Sequence, residues 1–129
     1  MTKYADIIKR LEMAEGPNRE IDYLIHDWEL QRSGLQVRLA DIMRHWTEEQ
    51  RFSILAGYTS SIDAAIALVE RMLPGSAMML DTRFKPACKI LPAGQVSSPD
   101  PKVEAATLPL AILLALFRAL EAKEATNEA

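Results

Sequence analysis

At 129 residues, with 49% hydrophobic and 26% charged residues, the chain has the apolar content to bury a core without metal or disulfide support. This excludes a disordered polymer and points to a single domain spanning 1–129. A net charge of −3, with eight Lys/Arg against ten Asp/Glu in 1–60 and seven against eight in 61–129, argues against a basic arm that binds by neutralising many phosphates. The single cysteine, Cys88, excludes an internal disulfide and fits a reducing compartment.

The first stretch, MTKYADIIKRLEM, has charges every few residues and no apolar signal region, so the expected location is the cytoplasm. Tyr4, Ile7, Ile8, Leu11 and Ala14 recur at helical spacing opposite Asp6, Lys9, Arg10 and Glu12, which predicts a helix over 3–14. Gly16 ends it. Pro17 suits the first turn of a second helix, 17–31, whose apolar stripe is Ile21, Leu24, Ile25 and Trp28. Residues 32–57 are read as an insertion in which Leu35, Leu39, Ile42, Met43 and Trp46 favour a helix, although Leu35, Val37 and Leu39 also suit a short strand. Thr47 and Gln50 resemble a capping box ahead of a short turn that Gly57 stops.

Ser60 followed by Asp63 reads as a capping box for a helix over 60–73, with Ile62, Ala65, Ile66, Val69 and Leu73 at helical period. Pro74-Gly75 ends that helix. AMMLD (77–81) and ACKIL (87–91) then read as two strands of an antiparallel hairpin around Arg83-Phe84-Lys85-Pro86, with a third short strand near Gln95-Val96. Ser97 to Pro101 is a loop. The last segment starts a run of thirteen uncharged residues, Ala105 to Phe117, and predicts a central helix over 107–122, capped by Thr107 with Pro109 in its first turn. That run falls short of a membrane span and contains a proline, so no membrane association is expected. The polar tail, 121–129, is expected to fray. The expected fold is α+β, with helices packed on a small antiparallel sheet in an α/β/α sandwich-like arrangement.

Three segments resemble the small phage and prophage proteins grouped as the phage ABA sandwich domain: GPNREID (16–22), YTSSIDAAIALV (58–69) and the apolar start of the last helix (105–111). Their order and spacing match, and they reach from the first helix to the last. In this chain the proline of the last motif falls one residue later, after Leu108, and residues 32–57 are longer. The resemblance implies helices on a small sheet and a phage or prophage setting, and it implies no activity and no catalytic or ligand-binding residues.

Four constellations invite a chemical reading. Asp22 and His26, four apart on one helix, with His45 from the next segment, have the composition of a catalytic zinc site, but there is no His-Glu-x-x-His pattern and no cysteine pair. Ser60, Ser61 and Asp63 have a sufficient explanation as helix cap and first-turn acid, and there is no nucleophile elbow. Cys88, between Ala87 and Lys89 in an apolar strand, reads as a buried small hydrophobe before a reactive thiol. Arg83, Lys85 and Lys89 with Phe84 between them form a basic patch that a nucleic acid can use, although a solvated hairpin tip has the same composition.

Trp28 reads as core. Trp46, beside Arg44, Glu48 and Glu49, reads as a protein-interface anchor. The expected function is therefore that of an accessory protein that binds another protein or a second copy of itself and needs no cofactor. A metal-dependent enzyme using Asp22, His26 and His45, or a nucleic-acid module using Arg83, Lys85 and Lys89, are the alternatives.

Overall fold

A computed structural model describes residues 4–32, 44, 45, 47, 57–91, 93, 94 and 102–128. Among these it holds four helices and a three-stranded antiparallel sheet, an α+β domain as expected. Helix α1, Ala5–Met13, buries Ile7, Ile8 and Leu11, the residues its periodicity selects. Its polar face carries the exposed Arg10–Asp6 pair, one turn apart at 3.1 Å. Helix α2, Arg19–Arg32, starts two residues later than expected. The cap is Asn18, whose Oδ1 accepts the Ile21 N–H at 3.1 Å, so Pro17 stands before the cap and not inside the first turn. Proline fixes φ there without removing a hydrogen bond the helix needs.

Helix α3, Ile62–Met72, is also capped one residue late. Ser61, not Ser60, has the extended backbone a cap requires, and its Oγ accepts the Ala64 N–H at 3.2 Å. Ser60 instead donates its hydroxyl to the Gly57 carbonyl at 3.2 Å.

The hairpin is where the sequence places it. Strand β1, Ala77–Asp81, pairs along its whole length with β2, Ala87–Leu91, with Met79 opposite Lys89. Strand β3, Val103–Glu104, continues the sheet beyond β2, with Val103 opposite Cys88. The strand expected near Gln95-Val96 lies outside the described residues, as does most of 32–57. Among the described residues the strand order β1-β2-β3 leaves β1 at one edge.

Helix α4, Leu108–Glu128, is the centre of the molecule. Thr107 caps it as expected, its Oγ1 accepting the Leu110 N–H at 3.4 Å. Every residue from Leu110 to Phe117 is buried, because β2 and β3 pack on one side of the helix and α1 and α3 on others. A helix apolar on nearly all sides is stable only when enclosed in this way. The helix also runs on through the polar stretch expected to fray, and Tyr4 Oη donates to Glu124 Oε1 at 2.9 Å. Trp28 is partly buried and packs against the core: its ring lies edge-on to Phe117 at 5.0 Å and to Tyr4 at 5.9 Å. Among the described residues, no helix is long and apolar enough to cross a membrane.

Candidate functional site

Three polar or exposed groupings stand outside this core, and their geometry separates structural roles from surfaces free to bind. The first joins the Gly16–Asp22 and Tyr58–Val69 segments. Asp22 is fully buried. Its Oδ1 accepts the Thr59 N–H at 2.8 Å and its Oδ2 accepts Arg19 Nη1 at 3.0 Å. Thr59 Oγ1 accepts the Asn18 N–H at 2.8 Å and donates to the Asn18 carbonyl at 3.1 Å. A buried carboxylate is tolerated when it is this fully bonded, and the corner ties the start of α2 to the start of α3. Asp22 therefore has no oxygen directed at a metal. His45 is exposed, and among the described residues no three His, Cys, Asp or Glu side chains come together as ligands. The set Asp22, His26 and His45 does not assemble, because Asp22 points into the helix corner.

The second grouping faces a shallow cleft of about 250 Å³ lined by His26, Glu29, Leu30 and Tyr58. Helix α2 supplies His26 and Glu29, the turn before α3 supplies Tyr58, and the last turn of α3 supplies Arg71. Tyr58 Oη donates to Glu29 Oε1 at 2.5 Å, and Arg71 reaches both carboxylate oxygens at 2.9 and 3.1 Å and the phenol oxygen at 2.9 Å. Burial opposes the Glu29 charge, but the hydrogen bonds from Arg71 and Tyr58 outweigh it and hold the carboxyl below its usual range. Burial, then the Glu29 bond, pushes Tyr58 up to about 12. The Glu29 bond raises Arg71. The network braces α2 against α3. His26 Nδ1 is buried without a hydrogen-bond partner among the described residues.

The third grouping is the hairpin. Asp81 Oδ2 accepts Lys102 Nζ at 2.8 Å and Arg83 Nη2 at 3.1 Å, and Oδ1 accepts the Arg83 backbone N–H at 3.0 Å. The hydrogen bonds from Arg83, then Lys102, hold the Asp81 carboxyl well below the usual carboxylate range. One carboxylate thus engages two cations, Arg83 of the predicted basic patch and Lys102 from the segment before β3. Phe84 is 94% exposed at the tip, and Met79 and Leu80 are 48% and 41% exposed on the edge strand. These two neighbours point to opposite faces of the sheet, so β1 presents apolar side chains on both.

Cys88 is buried against α4, and burial pushes its thiol up to about 11, which fits the inert reading. Trp46 lies outside the described residues. The group Glu29, Tyr58 and Arg71, and the pairing of Lys102 with Asp81, were not legible in the sequence, since the partners are distant in sequence and no local spacing marks them. No family model, curated protein or solved structure matches the chain.

Proposed function

We propose that this chain is a non-catalytic accessory protein that acts by binding another protein through its β-hairpin. The observation that carries the proposal is the uncovered apolar set Met79, Leu80 and Phe84 on an edge strand. Edge strands are normally protected by charge, proline or a bulge. Here the five residues Ala77–Asp81 contain no proline and no lysine, and their one charge is drawn to Arg83 and Lys102. An extended segment of a partner gains main-chain hydrogen bonds from such an edge and contacts for alternate side chains. The phage or prophage setting is the one implied by resemblance to the phage ABA sandwich domain.

The polar groupings support the non-catalytic part of the reading, since Asp22 and Glu29 are both fully engaged in bonds between helices. The experiment is retention of proteins on the tagged chain, with Met79→Lys and Phe84→Ser as paired variants. A stoichiometric protein that binds the parent and is lost from both variants is the expected result. Equal retention by all three proteins removes the hairpin from the reading. Retention of nucleic acid that falls with salt and with Lys85→Glu supports the alternative instead.

A further inference from the structure

Resting on the hairpin reading, we infer that the partner strand of β1 is β1 of a second copy, giving a continuous six-stranded sheet about a two-fold axis at Met79. Register selects the pairing. In an antiparallel pair, directly opposite residues share a face of the sheet, so a one-residue slip would set core-side residues against outer ones. Two-fold pairing of β1 with itself must therefore centre on a residue and not between two. Of the possible centres, Met79 alone uses the full strand Ala77–Asp81. It sets Met79 beside Met79 of the second copy, Met78 beside Leu80, and Ala77 beside Asp81. A centre at Leu80 would place the Asp81 carboxylate against Met79, and a centre at Met78 would run the strand into Gly75, whose φ of +80° belongs to a turn.

The Met79 register sets no like charges opposite one another, and its central pairs are apolar, as cross-strand stabilisation requires. Met78 and Leu80 alternate with Met79, so they lie on the face where Cys88 and Ile90 meet the core, and both copies keep α4 on the same side. The same register carries the basic turn around Arg83–Lys85 of one copy toward the Leu73–Gly75 end of α3 in the other. There the C-terminal carbonyls of α3 present the negative end of the helix dipole. The otherwise uncovered Phe84 moves toward the exposed Pro74.

A five-residue ladder with three large apolar side chains, Met78, Met79 and Leu80, is smaller than the ~800 Å² per partner of a standard interface. The dimer is accordingly weak, with a dissociation constant on the order of tens of micromolar.

Sedimentation across about 1 to 500 µM tests this. The expected result for the parent is a rise from 14.4 kDa toward twice that mass, and for Met79→Lys and Leu80→Lys a constant monomer mass. Thiol cross-linking fixes the register. Met79→Cys links to itself, Leu80→Cys alone does not, and a mixture of Met78→Cys with Leu80→Cys does, against the parent with its buried Cys88 as blank. A parent that stays monomeric, a dimer that survives both lysine variants, or a dimer in which Met79→Cys fails to link overturns the inference. If the parent is monomeric while Met79→Lys loses a foreign protein, the second copy is the wrong occupant and the hairpin remains the binding surface. If a foreign protein is bound equally by Met79→Lys while self-association is lost, the dimer stands and the proposed function moves off this edge.

Discussion

Helix α4 and strand β1 are both built from apolar residues, and they meet opposite fates. In α4 the run from Leu110 to Phe117 has strands on one side and helices on others, and none of its eight residues is more than 5% exposed. In β1, Met79 and Leu80 are close to half exposed, and nearby Phe84 is almost fully so. The difference follows from position in the sheet. Strand β2 lies over α4 and pairs on two edges, while among the described residues β1 pairs with β2 alone and stands at the margin of the sheet. Apolar residues enclosed by the chain's own elements stabilise the fold, and those left uncovered on an unprotected edge are available to another chain.

The sharpest way to break the comparison is to cut into each region and measure stability. Phe117→Ala removes a fully buried ring shared by Tyr4 and Trp28 and is expected to cost about 3–5 kcal/mol, read by denaturant unfolding. Asp22→Ala leaves the Thr59 N–H buried and unpaired, although the partly exposed Arg19 can turn to water. Its expected cost is about 2–3 kcal/mol, with loss of protection at the Thr59 amide in hydrogen exchange.

Alkaline pH probes the helix braces. Tyr4 and Tyr58 are both raised to about 12, Tyr4 by burial and then its bond to Glu124. The folded protein holds these protons after an unfolded tyrosine, near 10, has released its own. Their contribution is therefore fully present below pH 10 and is lost as the pH rises from 10 to 12. Thermal unfolding across that window is expected to show a falling midpoint, with a shallower fall in Tyr58→Phe. A fall of the same steepness in the variant would separate Tyr58 from the effect. The smallest change in stability belongs to the hairpin, where Met79→Lys is expected to stay within about 0.5 kcal/mol of the parent. A larger loss would mean that Met79 belongs to the core.

The helices and the hairpin were legible because their residues recur at a fixed period over nine or more positions or alternate within bounded short runs. What was displaced depended on which of two adjacent residues takes an extended backbone: Ser61 caps α3 in place of Ser60, and Asn18 caps α2 after Pro17. Strand β3 has two residues and no period to read. The candidate zinc set failed for a physical reason, since the spacing of Asp22 and His26 shows that they share a helix but not that Asp22 faces inward to Thr59. The brace of Glu29, Tyr58 and Arg71 joins residues up to 42 positions apart. No local pattern encodes such a pairing. The exposure of Met79 and Leu80 was hidden for the opposite reason, because an apolar strand reads the same at the centre of a sheet and at its edge.

Amide hydrogen exchange over residues 77–84, compared between dilute protein and protein at the highest soluble concentration or with a captured partner, tests the central claim most directly. The account predicts that protection rises with occupancy and that the rise is confined to β1 and the hairpin turn. Protection that rises instead around Tyr58 and Arg71, or nowhere, would contradict it.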